Sequence, residues 1–431
     1  MNKYILHEWC IQNDFVHNTI SKANGIFFWD NTGKKYFDMS SQFVNLNLGY
    51  NNQNVINAII KQANSLPYIG SSFYLDIRIQ AARKIIDIAP KNMSKVFFTN
   101  SGAESIENSI KISKQFSGKN KIISTYNSYH GASYGAANLS GESRRFAVEP
   151  GIPGFIKFFN PNKYRPFCEK LTEPELTNLH LKYLEELIIS ENNEDIAAIF
   201  LESIIGSNGV IIPPYGYLKG IRKLCDKYNI LMVCDEVMTG FGRTGKWFAF
   251  EHWGIQPDII TIAKSITAGY IPFGGVIVSE KIENYFNTNF LSCGLTNNSH
   301  PIGCAATVAA ISEYNNKKLI NNSKNLGDIL TLSLKELKSK YSCIGDVRSI
   351  GLFGGIEFVN SPEKKDPITI KNLDTKQSMK FILKILKENG IWTFFKNNVL
   401  IIAPPLIIQQ QELQESLQII DKVISKIENG F

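Results

Sequence analysis

The chain has 431 residues, 44% of them hydrophobic and 20% charged, with a formal net charge of +7. That length buries a large core and predicts two or three domains, while a basic excess scattered among acids excludes nucleic-acid binding built on charge runs. No apolar stretch is as long as a bilayer-crossing helix needs, and Met1 to Asp14 lack a leader's apolar core, so neither membrane insertion nor export is expected. The seven cysteines are odd in number and widely spaced. That pattern predicts reduced thiols in a cytoplasmic protein and no metal site.

In chain order, residues 25–30 and 35–38 read as a strand pair and 54–63 as a helix, too little to form a core alone. They are expected to pack on the C-terminal part. Short apolar runs at 95–99, 121–124, 197–201, 231–234, 259–263 and 274–278 read as strands. Helical spacing occurs at 105–116 and 217–228, and 301–314 is small and Ala-rich, as a closely packed helix would be. This alternation predicts an α/β fold with a mainly parallel sheet between helices. After residue 316 come a helix at 319–341, a strand pair at 347–349 and 354–359, a helix at 376–389 and a strand at 399–402. The expected division is an N-terminal segment 1–65, a large domain 66–316 and a small α+β domain 317–431.

Four segments carry chemistry. In NILMVCDEVMTGFGRTG (229–245) an apolar strand runs into Asp235, placed where open α/β sheets bind ligands. Alone, Asp235 reads as a cap or a solvated turn. A second apolar run, IITIAK (259–264), ends in Lys264 one crossover later. A lysine desolvated there has a lowered pKa and becomes nucleophilic toward an aldehyde, the chemistry of Schiff-base lysines. In KVFFTNSGAESIENSIK (95–111), Ser101, Gly102 and Ala103 lie between a strand and a helix, where free amides suit a phosphate, although an ordinary capped helix looks the same. TYNSYHG (125–131) puts Tyr129 and His130 after a strand, with Tyr129 able to stack on a flat ring or to fill core. Gly240 to Gly245 (GFGRTG) match the dinucleotide pattern G-x-G-x-x-G, but the aromatic run KWFAFEHW that follows does not open a helix, so a nicotinamide coenzyme is not expected.

Taken together, NSGAES, SYHGAS, CDEVMTGFGRTGKW, IITIAKSITAGYIPFGG and GLTNNSHPIGCAA resemble the class III aminotransferases of fold type I, pyridoxal-phosphate enzymes acting on ω-amino acids. The likeness runs in unbroken order from about Gly25 to Leu406. It implies a seven-stranded, mainly parallel sheet between helices and a smaller domain drawn from both chain ends. It also implies that Lys264 carries pyridoxal 5'-phosphate as a Schiff base and acts as general base and acid, while Asp235 keeps the ring nitrogen protonated. Ser101, Gly102 and Ala103 would hold the phosphate, Tyr129 and Val237 would cover opposite faces of the ring, and His130 and Glu202 would lie beside it. Thr296 would reach the phosphate from a partner subunit, hence a homodimer with its active site at the interface.

Departures bear on substrate. Relatives acting on ornithine or γ-aminobutyrate carry a gating glutamate and a C-terminal arginine where this chain has Ser207 and Phe394, and Ser203 replaces a usual proline. Trp392, Phe394 and Phe395 suggest an apolar wall, and SQFVNLNLG (41–49), with Val44 as a candidate pocket residue beside Phe394, likewise resembles the taurine, β-alanine and amine transaminases using pyruvate or 2-oxoglutarate. Arg144 and Arg145 are the candidate partners for a substrate carboxylate. The rival readings are a racemase or aminomutase on the same scaffold and a non-catalytic ligand sensor.

Overall fold

A computed structural model describes residues 4–168, 170–370 and 373–429. Near the N-terminus β1 (Ile20–Asn24), β2 (Phe27–Asp30) and β3 (Lys35–Asp38) form an antiparallel meander. Asp30 ties its second turn by accepting from Thr32 Oγ1, Lys34 N and Tyr36 Oη.

The central sheet contains β4 (Met93–Thr99), β5 (Lys121–Thr125), β6 (Phe155–Phe158), β7 (Ile196–Glu202), β8 (Leu231–Asp235), β9 (Ile259–Ile262) and β10 (Gly274–Ser279), in the order β4-β10-β9-β8-β7-β5-β6. Strand β10 runs antiparallel to both its neighbours, and the other pairs are parallel. Strands β8 and β9 are buried along their whole length, as strands covered on both faces must be. Register then does the functional work: Glu202 pairs with Asp235, and Asp235 with Thr261, so three polar residues line up at the C-terminal edge just before Lys264.

The C-terminal part adds β11 (Ile344–Ile350), β12 (Phe353–Phe358), β13 (Ile391–Trp392), β14 (Phe395–Lys396) and β15 (Val399–Ile402). Strand β13 pairs in parallel with β3, joining the first strands to the last third of the chain. The remaining four form an antiparallel sheet, β11-β12-β15-β14, packed by helix Leu319–Lys340, on which helix Gln410–Glu428 packs in turn while also touching β13. The second of these buries Leu413, Leu417, Ile420, Ile424 and Ile427, a helical stripe. Strands β1 and β6 and helices Asp76–Ile88, Glu173–Ser190 and Gln410–Glu428 are additions to the elements expected from sequence. Among the described residues no helix is long and apolar enough to cross a membrane.

Two features tie the chain ends to the middle. Ser41, Gln42, Phe43 and Val44 all have positive φ (46°, 47°, 65° and 58°), a left-handed turn that L-residues adopt only under constraint. Asp38 supplies part of the constraint, accepting from Ser40 N at 3.0 Å and Tyr50 Oη at 3.0 Å, while Ser41 Oγ donates to Ala403 O at 2.6 Å. Arg243, fully buried, supplies the rest. Its guanidinium donates to Leu352 O (2.9 Å), Pro404 O (2.6 Å), Ser41 Oγ (3.1 Å) and Asn47 Oδ1 (2.5 Å). The GFGRTG segment around it is a run of turns, and no helix opens at its glycines.

Candidate active site

A cavity of about 470 Å³ opens at the edge where β7, β8 and β9 end. Its lining includes Ser101, Gly102, Ala103, Tyr129, His130, Glu202, Asp235, Val237 and Lys264, so the central part of the sequence-derived set converges on one space.

Asp235 is 5% exposed. Its Oδ1 accepts from Val237 N at 3.0 Å and Thr261 Oγ1 at 3.2 Å, and its Oδ2 lies 2.7 Å from His130 Nδ1. These bonds fix the carboxylate's orientation. The other ring nitrogen of His130, Nε2, is buried without a partner. Glu202 accepts from Tyr129 N and Gly206 N, each at 2.9 Å. Burial raises its pKa to about 7, with His130 opposing and Asp235 adding to the rise.

Lys264 stands two residues past the end of β9, at φ 49°, and is partly buried. Burial lowers its amine pKa from 10.5 to about 8, against the pull of Asp235 and Glu202 and with help from Arg144. A fraction of neutral, nucleophilic amine is thus present near neutral pH.

On the opposite wall, Ser101 caps helix Gly102–Ser117 by accepting from Glu104 N at 3.2 Å. The first-turn amides of Gly102 and Ala103 point where a helix N-terminus favours an anion. A Cβ on Gly102 would lie 2.9 Å from Val237 Cγ1, so glycine is required for that approach.

These residues fit a flat, phosphorylated pyridine aldehyde. An amine of lowered pKa faces the aldehyde's task, a fixed buried carboxylate faces that of a ring cation, helix-start amides suit the phosphate, and the volume suits a cofactor-sized guest.

Other expected residues lie elsewhere. Val44 is fully buried and Phe394 partly so, in an apolar cluster that also holds Met238, a lining residue. Thr296 is exposed, its carbonyl accepting from Tyr68 Oη at 2.9 Å. Arg144 stacks on Tyr129, its Cζ 3.6 Å from the ring centroid, and lies 5.0 Å from that of Trp9. Arg145 pairs instead with Glu149 at 3.1 Å.

The sequence reading did not single out Thr261, Asn45, Met238 or Phe273, nor Glu142 and Lys396 beside Arg144. Only Thr261 had a legible signal, being the one polar residue inside IITIA.

The family model of class-III aminotransferases matches residues 11–424. A taurine:2-oxoglutarate aminotransferase from Bifidobacterium kashiwanohense, solved with pyridoxal phosphate and glutamate, superposes with a TM-score of 0.94 at 41% identity, covering 99% of this chain and 96% of that one. Among curated relatives, an adenosylmethionine-8-amino-7-oxononanoate aminotransferase of Staphylococcus aureus is 34% identical, over 95% of this chain and 92% of its own. A taurine–pyruvate aminotransferase of Bilophila wadsworthia is 32% identical, over 100% and 97%. A leucine/methionine racemase of Thermococcus litoralis is 31% identical, over 95% and 91%.

Proposed function

The chain belongs to the class-III aminotransferases, pyridoxal-phosphate enzymes of fold type I, and on that premise we propose that its donor is an ω-amino acid with an anionic far end, of the taurine or β-alanine kind. The acceptor is an oxo acid such as pyruvate or 2-oxoglutarate. The observation that carries this reading is Arg144, held over Tyr129 beside the cavity, with Glu142 as its single acidic partner among the described residues. A planar guanidinium offering its outer edge suits a sulfonate or carboxylate. Val44 and Phe394 pack in the uncharged apolar cluster behind Met238, a lining residue, which suits a short donor chain.

When bound, pyridoxal phosphate supplies an aldehyde that condenses with amines and a ring that accepts the electron pair released at the substrate carbon. In this proposal Lys264 would hold the cofactor and would move the proton at the substrate carbon, and Asp235 would keep a proton on the ring nitrogen. His130 and Thr261 keep Asp235 oriented. Ser101, Gly102 and Ala103 would bind the phosphate, Tyr129 and Val237 would flank the ring, and Glu202 fixes the backbone of Tyr129. Thr296 completes the phosphate site from a second subunit of a homodimer, which its exposure permits. We also propose the cytoplasm as its place, consistent with free cysteines throughout the described residues, and the division into segments 1–65, 66–316 and 317–431.

Half-reaction rates with taurine, β-alanine, ornithine and an aryl amine test the donor class. Taurine and β-alanine are expected to lead, and Arg144→Gln to remove their advantage. Preference for ornithine, or an Arg144→Gln enzyme that treats the donors as before, would refute it.

A further inference from the structure

We propose that Lys396 is a positioning residue that holds Glu142 off the outer edge of Arg144, keeping that guanidinium open to the anionic end of a substrate. The inference rests on the role given above to Arg144. Glu142 follows helix Tyr134–Leu139 in the large part of the chain, and its side chain is 4% exposed. A carboxylate so far from water needs cations. It has two from different segments: Oε1 accepts from Arg144 Nε, and Oε2 accepts from Lys396 Nζ on β14. Among the described residues neither cation has another acidic partner. One negative charge between two positive ones leaves a net positive site, and the surplus lies beside the cavity because Arg144 stacks at 3.6 Å on Tyr129, a lining residue.

Without Lys396, Oε2 would be buried and unpaired, which is costly. The adjacent donor is the remaining edge of Arg144, and carboxylates close readily on both nitrogens of a guanidinium. Glu142 would then neutralise Arg144 and fill the place the substrate needs. Lys396 lies two residues beyond Phe394, so a cation still enters from this stretch of the C-terminal sheet, acting on the substrate only through Glu142.

The test uses the pyridoxal-phosphate-loaded enzyme and two readouts. The first is the ratio of kcat/KM for β-alanine to that for 1-phenylethylamine. The second is the calorimetric Kd of ethanesulfonate, an anion with no amine to react. Lys396→Met is expected to lower the ratio about tenfold, mainly through KM, and to raise the Kd by a similar factor. Lys396→Arg should keep both near native, and adding Glu142→Gln to Lys396→Met should restore both, because glutamine retains an oxygen for Arg144 Nε without the competing charge. If Lys396→Met does not fold, Lys396→Gln carries the same expectations. Native values of both readouts in the Met or Gln variant overturn the inference. Arg144→Gln separates the levels: if it abolishes ethanesulfonate binding while Lys396→Met does not weaken it, only the role of Lys396 fails, and if it leaves binding intact, the reading of Arg144 fails first.

Discussion

Replacing Lys264 by Met should change how the cofactor-free protein's stability depends on pH. Burial lowers the amine pKa from 10.5 to about 8, and at about 1.4 kcal/mol per pKa step the native state disfavours the ammonium form by roughly 3 kcal/mol. Because the side chain is only partly buried and the cavity admits water, about 2 kcal/mol is the better figure. The sign follows from proton counting. Below about 8 both folded and unfolded chains hold the proton, and the folded state bears the full penalty. Between about 8 and 10.5 the unfolded chain binds more protons, so stability rises with pH, and above that window the penalty is gone. Methionine has a similar length and no charge, so its contribution is flat. Thermal unfolding of both cofactor-free proteins, at intervals from pH 7 to pH 10, reads the difference. The wild type should gain on the variant across this range by about 2 °C for a chain this long, other titrations cancelling. A difference that does not move with pH would refute the claim that Lys264 sits in a desolvated site.

Asp235→Asn leaves an oxygen for Val237 N and Thr261 Oγ1 but removes the charge facing the cavity; the donor half-reaction should slow about a thousandfold, and retention within tenfold would contradict the role of this acid. Gly102→Ala places a Cβ 2.9 Å from Val237 Cγ1 and should weaken cofactor binding about tenfold in fluorescence titration of the cofactor-free protein, whereas unchanged affinity would mean that Val237 gives way. Phe43→Gly relieves a residue at φ 65° whose side chain is 63% exposed; denaturant unfolding should show a gain of about 1 kcal/mol, and a loss would mean that the contact with Phe394 outweighs the backbone strain.

Much of this arrangement is written in local sequence because the central sheet is made of runs whose apolar character needs no partner to be recognised. LMVCD and IITI read as buried strands, and two acids and a lysine at their ends stand out against that background. Strand β6, FIKF, was not recognised: four residues with a lysine in the middle carry little pattern, and its pairing with β5 is what makes it a strand. Helix Glu173–Ser190 does carry a signal, the reciprocal capping of Thr172 and Glu175, that a search for apolar periodicity passes over. At the site, Asp235 and Lys264 were legible because each is chemically out of place. Glu142 and Lys396 lie 254 residues apart, and nothing local in either indicates the other. Their meeting depends on how the C-terminal sheet docks, which is a property of the folded chain alone.

Arg243 has a consequence for the order in which the native structure can be completed. Its acceptors come from residues 41, 47, 352 and 404, so a polypeptide interrupted before Pro404 buries a charge lacking one of its carbonyls. Such a fragment would keep every strand of the central sheet and still hold an incompletely satisfied charge at its heart. Quality control that degrades incomplete copies would thus have a built-in criterion: the guanidinium is at rest only after the last fifteenth or so of the molecule begins to arrive.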